Sequence, residues 1–478
     1  MEQAVRQLSG AAWAALSVPM LTVAALAAGV APDRVFLGAA AVSGAMGLLY
    51  VAVRVEPAWS LSLGIAAMAF SGNWQHMGIP IGLDRLLVAA GLIAVVVRAR
   101  AERPGMAALR GGGLETVHWV LLLAAAWAIG SAASAGTLTS SQGVFGLLDR
   151  FGLVPFALFF VAPTVFAERR QRLILLGVLV GLGLYLGLTA LLETLHLNAL
   201  VFPKYILDSS IGIHTGRARG PFLEAVGNGM GLYAGGVAAV VGLVTWRDPL
   251  IRSLCVVTAG LCAAGVIFTL TRSVWLASAV ASALALASFP GVRRYLLPVA
   301  AAGAAIALVA LSSVPNLATS ASEREHEEAP IWVRINTDHA ALRMVEARPV
   351  AGFGWNRFQS DSPTYFEQSG ETPLVGMGEG VHNVLLSHAS ELGIVGAFLW
   401  LIGFAMVVGG GLLRRGPPEL RPWRIALLAL AVDWVMVAAV TPLPYALPTA
   451  LLFLWAGVVR SRSVRTQLLG TRPAIRSA

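Results

Sequence analysis

Apolar runs long enough to cross a lipid bilayer recur along almost the whole chain. A run that crosses about 30 Å of hydrocarbon must satisfy its own backbone hydrogen bonds, which selects helices. Hydrophobic residues make up 57% of the 478 residues and charged residues only 12%, which excludes a soluble protein of this length. We therefore predict an all-α, polytopic integral membrane protein with about 12–14 transmembrane helices.

The basic residues indicate membrane orientation rather than nucleic-acid binding. The formal net charge is +9, but the arginines gather in short segments between apolar runs, as they do in cytoplasmic loops. If the spans alternate, these segments share one side, which we assign to the cytoplasm together with both termini. The segments are Arg54, the set Arg98, Arg100 and Arg103, residues 168–172, Arg247, the pair Arg293 and Arg294, residues 412–424 and residues 460–465.

The apolar pattern divides the chain into five parts. These are N-terminal transmembrane helices (1–116), central transmembrane helices (117–312), a large external loop containing helices (313–384), C-terminal transmembrane helices (385–460) and a cytoplasmic tail (461–478). The basic start and apolar stretch of residues 1–31 would also suit a cleaved signal peptide, but further spans follow at once and favour a retained helix.

Two external segments are much longer than a simple connection needs, so function is expected there. The first is 194–223 and the second begins near Ser313. In the second, the spacing of apolar residues over 331–347 predicts an amphipathic helix lying against the membrane domain. Its apolar face is predicted to contain Ile331, Ile335, Ala341, Leu342 and Val345. The acidic run 323–328 is unspaced and typical of a solvated loop, so no metal is assigned.

The stretch "RPVAGFGWNRF" that follows this helix predicts a tight turn, because Pro349, Gly352 and Gly354 end the helix. The turn is expected to present Trp355 and Phe358, either to a sugar face or to the membrane interface.

Three arginines are predicted on the external side, although membrane proteins usually place arginine in cytoplasmic loops. Their position therefore needs an explanation. Arg217 and Arg219 precede a span that begins near Glu224, and Arg272 lies between two spans joined by almost no loop. An arginine at membrane depth costs about 2.5–3.5 kcal/mol on insertion scales. Guanidinium groups match phosphate oxygens, so a lipid-linked diphosphate would explain them. Snorkelling, or pairing with Glu224 or Asp208, is the structural alternative.

His382 stands where the chain re-enters the membrane after the long loop, and its imidazole is the best general-base candidate. A histidine that only caps a helix end is the alternative. His388 and Glu391 share a helical face, whereas His382 and Glu391 lie on opposite sides and form no simple dyad. Glu391 is therefore expected to pack or hydrogen-bond near Gly393 and Gly396.

The stretches "RARGPF", "LTRSVWLA", "RPVAGFGWNRF" and "HNVLLSHASELGIVG", in this order and with the long loop between the second and fourth, resemble the bacterial O-antigen ligase and O-antigen polymerase superfamily. The resemblance covers roughly 117–460, with its motifs between 217 and 396. It implies a periplasm-facing glycosyltransferase of the bacterial inner membrane. Such an enzyme moves a glycan from an undecaprenyl diphosphate carrier to a hydroxyl of another glycan, of lipid A core or of a protein. The resemblance implies no metal, nucleotide sugar or other cofactor.

The same resemblance assigns roles to particular residues. Arg217 and Arg272 match the arginines that hold the diphosphate, and His382 matches the activating base. Arg219 is an additional arginine in the first motif and shares the diphosphate assignment, and "EAVGNG" replaces the more usual Asn-Pro-Asn pattern. The residues expected to support the substrate or the loop are Arg348, Trp355, Arg357, Asn383 and Glu391.

Several functions stay open at this point. A polymerase of O-antigen or exopolysaccharide repeats and a ligase that completes lipopolysaccharide use the same chemistry. A secondary transporter or polysaccharide exporter would explain Asp433 as an ion site in the membrane, although transporters concentrate polar residues near the midplane. A carbohydrate-binding scaffold would need no base at His382.

Overall fold

The structure, a computed structural model, describes residues 54–79, 81–100, 114–313, 329–368, 373–413 and 416–461. The predicted first helix or signal peptide at 1–31, Arg103, the acidic run 323–328 and the tail from 462 onward lie outside these ranges. Every regular element within them is helical. The predicted all-α class is confirmed.

Fifteen α-helices are numbered here in chain order over the described ranges. They are α1 (Pro57–Ala67), α2 (Leu83–Arg100), α3 (Thr116–Ser134), α4 (Ser141–Phe145), α5 (Leu153–Val165), α6 (Arg169–Thr194), α7 (Ala225–Thr245), α8 (Pro249–Phe268), α9 (Arg272–Ser288), α10 (Leu296–Ser313), α11 (Ala329–Ala347), α12 (Phe358–Asp361), α13 (Val384–Leu413), α14 (Arg421–Ala438) and α15 (Ala446–Val459). A π-helical turn, Gly146–Phe151, joins α4 to α5.

Six helices in the described part of the chain are long and apolar enough to cross a membrane. They are α3, the continuous segment Ser141–Val165, α6, α7, α8 and α13. The shorter apolar helices are Pro57–Phe70, α9 and α15. The chain is therefore a multi-pass membrane protein. The count of 12–14 spans concerns the whole chain and stays a prediction.

The centre of the bundle is α15, a short helix that is apolar on every side. All of its residues except Pro448 are buried, and it packs against α5, α13 and α14. A helix without a polar face gains most when neighbouring helices surround it completely. The loop that leads into α15 is consequently held at a fixed place at one end of the bundle.

Ion pairs join several of the arginine-rich segments at one end of the bundle. Arg170 pairs with Glu56 and Arg172 with Glu419, each at 2.9 Å. The segments near 56, 170 and 419 therefore meet, as the prediction of a shared side requires. Arg460 also pairs with Glu115.

The four motifs lie in or begin beside loops at the other end, and backbone strain is concentrated there. Six residues other than glycine adopt left-handed φ values in the described ranges, and all six lie in these loops. They are His196, His214, Leu223, Leu270, Asn356 and Leu443. Such conformations cost of order 1–3 kcal/mol each and cluster at functional sites. The strain therefore directs attention to this end of the molecule, called the motif end below.

The third motif docks into a break in α13. At Gly393, φ is +70° and ψ is 175°, so the helix is interrupted there. The turn supplies partners to the exposed backbone: Gly354 N donates to Glu391 O at 2.8 Å, and Ile394 N donates to Pro349 O at 2.7 Å. A polar backbone at membrane depth must find such partners within the protein.

The helix predicted over 331–347 is confirmed as α11, but of its predicted apolar face only Ala341 is fully buried. Ile331, Ile335 and Leu342 are 36–48% exposed. The buried face contains Asn336, Thr337, Ala340, Ala341 and Met344. Asn336 Nδ2 donates to the carbonyl oxygens of Pro373 and Val375, at 2.7 and 3.1 Å. The helix thus packs through small and hydrogen-bonding residues, which apolar spacing does not reveal.

Replacing Gly393 by alanine tests the docked turn. Its positive φ disfavours a side chain, and a Cβ there would overlap the carbonyl group of Val350. We expect Gly393→Ala to lower the free energy of unfolding by at least about 1–3 kcal/mol. Thermal unfolding of the detergent-purified protein measures this.

The matched control is Gly260→Ala in α8, where a Cβ meets no atom within 4 Å. Since alanine favours the helix by about 1 kcal/mol over glycine, the Tm of Gly260→Ala should equal or exceed that of the wild type. Equal Tm values for the two variants would contradict the docking.

Candidate functional site

The first and second motifs meet at the motif end. Ala218 N donates to Phe268 O at 3.1 Å, so Arg217 lies beside the end of α8. Arg272 begins α9 only four residues after Phe268. Two of the three predicted diphosphate ligands, Arg217 and Arg272, are therefore attached to one junction of backbone.

Arg219 points into the first external loop. Its guanidinium donates to Ile206 O at 2.9 and 3.1 Å, to Ile211 O at 2.7 Å and also to Asp208 O. The residue is only 3% exposed. Because its donors are directed at carbonyl groups of the loop, this geometry favours a loop-organising role for Arg219, and the diphosphate role of either arginine stays a prediction.

Glu224 pairs with a histidine rather than with the arginines of the first motif. Its Oε1 lies 3.0 Å from Nδ1 of His214, and its Oε2 accepts from Gly227 N at 2.7 Å. Burial raises the pKa of Glu224, but interactions with His214 and Tyr445 and the hydrogen bond from Gly227 N outweigh burial and lower it. This charged carboxylate connects the first motif to the loop that precedes α15.

Two arginines and the predicted base form an electrostatically connected group. Burial and then the positive charge of Arg272 lower the pKa of Arg334, which lies on α11. Burial and then the charge of Arg334 lower the pKa of His382. Nε of Arg334 is buried and has no hydrogen-bond partner in the described ranges. The second motif, the long loop and the start of α13 thus contribute to the same site.

His382 is half-buried and lies two residues before the first residue of α13. Asn383 caps that helix, since its Oδ1 accepts from Leu386 N at 3.0 Å. Nδ2 of Asn383 also donates to Ala439 O at 3.4 Å, which ties the cap to the end of α14. The imidazole is therefore carried by a fixed loop rather than by the helix itself.

The third motif does not present its aromatic residues, so that expectation is wrong. Trp355 is 0% exposed and Phe358 is 2% exposed. The indole nitrogen of Trp355 donates to Gly143 O at 3.0 Å, and its ring packs 4.4 Å from the guanidinium of Arg150. Trp355 thus holds the turn against α4. The turn lies inside the bundle because its backbone pairs with the break in α13.

Arg150 is a residue that the sequence reasoning missed. Its Nη2 lies 2.6 Å from Oε2 of Glu391, whose side chain is 2% exposed. Glu391 Oε1 also accepts from Phe358 N at 3.4 Å. This confirms Glu391 as a hydrogen-bonding residue. Arg150 lies within the apolar run 141–165, and an arginine inside a membrane span needs a partner. Its position in that run could therefore have identified it from the sequence.

The remaining predicted support residues lie on the surface of the long loop. Arg348 packs over the ring of Phe353 at 4.5 Å. Arg357 pairs with Asp361 at 3.2 Å. Both contacts are local, and the predicted substrate roles of Arg348 and Arg357 stay predictions.

Two further ionisable residues are buried by packing and do not face a cavity. His388 is fully buried between the rings of Phe151, Trp355 and Trp400. Asp433 is 3% exposed and accepts from Ser278 at 3.2 Å. Neither residue lines the cavity described next.

A half-enclosed cavity of about 240 Å³ opens beside the loop that carries His382. It is lined by Gln142, Phe145, Gly146, Asp149, Arg150, Asn356, Phe358, Gln359, Gly380, Val381, Ser387, Glu391 and Pro444. A larger groove of about 620 Å³ lies near Trp59 and Arg169, at the arginine-rich end and away from the motifs. Among the described residues, no group of three His, Cys, Asp or Glu side chains could hold a metal.

The fold is that of a multi-pass helical membrane protein whose loops at one end gather arginines and a histidine. Residues 257–401 match the family model described as O-antigen ligase. The matched region contains the second, third and fourth motifs, and it supports the O-antigen ligase and polymerase superfamily, so the resemblance recognised in the sequence is confirmed. Activity of the O-antigen ligase or polymerase type, a glycosyltransferase-like reaction, is supported in general terms. No curated protein matches the chain.

The buried pair of Arg150 and Glu391 is testable by a double-mutant cycle. Arg150→Met leaves the Glu391 carboxylate buried without its partner, and breaking such a pair costs about 3–5 kcal/mol. Adding Glu391→Gln removes the stranded charge, so we expect the double variant to be more stable than Arg150→Met alone. Thermal unfolding of the wild type, Arg150→Met, Glu391→Gln and the double variant measures the coupling. Additive losses would show that the two side chains act independently.

Proposed function

We propose that this protein transfers a glycan from an undecaprenyl diphosphate carrier to a hydroxyl acceptor. Arg217, Arg272 and Arg334 hold the diphosphate, and His382 is the general base. The reaction takes place at the motif end, which faces the periplasm of a bacterial inner membrane. The opposite end carries the arginine-rich segments, and the positive-inside preference supports its placement in the cytoplasm.

The observation that carries the proposal is the approach of Arg334 to both Arg272 and His382. Two guanidinium groups close enough for one to lower the pKa of the other repel each other. An anion between them would convert repulsion into attraction, and a diphosphate presents oxygens that accept several guanidinium hydrogen bonds. The buried Nε of Arg334 offers one such donor.

The chemistry follows from this placement. The acceptor hydroxyl attacks the anomeric carbon, and the new glycosidic bond forms as the bond from that carbon to the diphosphate oxygen breaks. His382 takes the proton of the hydroxyl. The lipid diphosphate leaves with the bonding electrons, and the arginines stabilise its negative charge. The lowered pKa of His382 keeps the imidazole neutral, and thus able to accept a proton, at neutral pH.

Removing the base is the first test. Because a positioned base contributes about 10²–10⁴ in rate, His382→Ala should reduce glycan transfer by that factor with protein levels unchanged. The measurement is the glycan profile of a deletion strain complemented with the variant.

His339→Ala is the matched control, since His339 is an exposed histidine of the same loop. It should restore the wild-type profile. A wild-type profile from His382→Ala would remove the base from the mechanism and favour a scaffold. In the deletion strain, loss of long chains with a single repeat still attached indicates a polymerase. Long chains that accumulate on the carrier indicate a ligase.

The pH dependence tests the contact between Arg334 and His382. The base must be unprotonated, so activity is lost as the pH falls through its pKa. Since Arg334 lowers that pKa, Arg334→Gln should raise it and move the acidic limb of the activity profile to higher pH. Profiles of kcat/KM measured between pH 5 and 8 report this shift.

Arg343→Gln is the control for this profile. Arg343 lies on the same helix but pairs with Glu367 at 3.3 Å. The acidic limb of the activity profile of Arg343→Gln should therefore coincide with that of the wild type. A limb that does not move in Arg334→Gln would show that Arg334 does not act on His382.

A further inference from the structure

The cavity beside His382 differs in charge from the arginine group. Its charged lining residues are already paired, since Asp149 lies 2.7 Å from Arg85 and Glu391 lies 2.6 Å from Arg150. None of Arg217, Arg272 and Arg334 lines it. The cavity is therefore polar but close to electrically neutral, and an anionic diphosphate gains little there.

Four of the ten remaining lining residues carry neutral hydrogen-bonding side chains. Gln142, Asn356 and Gln359 each offer an amide donor and an amide acceptor, and Ser387 offers a hydroxyl group. The ring of Phe145, which is 46% exposed, provides an apolar wall and carries Arg85 4.3 Å from its centre. Paired donors and acceptors beside an aromatic ring suit the alternating hydroxyl and C–H groups of a neutral sugar.

The walls of the cavity are held in place before any ligand binds. Asn356 has a φ of +60° and belongs to the turn that docks into the break in α13. Arg150 is fixed by Glu391 and by the ring of Trp355. A rigid site loses less conformational entropy on binding than a mobile one.

Size and position complete the assignment. A volume of about 240 Å³ is below the ~300–1,000 Å³ of sites for drug-sized ligands, so it suits one sugar ring rather than an oligosaccharide. Gly380 and Val381 form part of the wall, and His382 is the next residue along the chain. We propose that this cavity binds one sugar ring of the acceptor and thereby presents the acceptor hydroxyl to His382.

This inference rests on the proposed function, and kinetics with two substrates test it. Gln142→Ala/Gln359→Ala removes two exposed amide groups that take no part in the ion pairs. The full-length protein is placed in phospholipid nanodiscs. The donor is the lipid-linked glycan extracted from cells that lack the protein, and the acceptor is the glycolipid and glycan fraction of the same cells. Each is varied separately.

The double variant should raise the KM for the acceptor about tenfold, which corresponds to about 1.4 kcal/mol, because two hydrogen bonds to the acceptor are lost. The KM for the donor and kcat should stay within about twofold. Gln75→Ala is the matched control, since Gln75 is exposed and lies outside the cavity. Inorganic diphosphate should raise the Tm of the wild type and of the double variant equally, which shows that the arginine group is intact.

Filling the mouth of the cavity provides an independent variant. Gln142→Trp should prevent saturation by the acceptor while leaving stabilisation by inorganic diphosphate unchanged. An unchanged acceptor KM in both variants, or a rise in the donor KM instead, overturns the inference while transfer by the wild type still supports the proposed function. Absence of transfer by the wild type overturns the proposed function, and the inference falls with it.

Discussion

The break in α13 at Gly393 is the constraint on which the motif end depends. An interrupted helix at membrane depth leaves backbone groups that water cannot reach, and the turn of the third motif supplies their partners. The same docking buries Trp355, brings Arg150 to Glu391 and sets the backbone of Asn356. One cavity wall is thus a consequence of backbone pairing rather than of side-chain preference.

Electrostatics divides the motif end into two regions with different requirements. Around Arg272 and Arg334 two positive charges lie close together, with the carboxylate of Asp338 also acting on Arg334, and an anionic ligand would further offset the repulsion between the two guanidinium groups. In the cavity, each charged side chain has an opposite charge beside it. His382 is connected to the first region through Arg334 and to the second through the adjacent residues Gly380 and Val381. A base in this position could serve two substrates of unlike charge.

The sequence was sufficient for what depends on local composition. Apolar length predicted the helical membrane fold, and unexpected arginines and a histidine directed attention to the loops between spans. It does not predict the features that depend on packing between residues distant in the sequence. Trp355 looks exposed in a glycine-rich turn, and only the break in α13 shows where the turn goes. Arg334 was passed over because α11 was judged by its apolar residues, although its buried face depends on Asn336 and on a segment 37 residues away.

Several charged side chains of the described ranges are committed to fixed partners within the protein. Arg219 is occupied by loop carbonyl groups, Asp433 by Ser278, and Glu391 by Arg150. A buried ion is stabilised by its partner, and removing that partner strongly destabilises the protein. Such groups cannot readily change partners during a reaction. The loops at the motif end, in contrast, contain the six left-handed residues of the described ranges, whose strain persists only because the surrounding helices hold them.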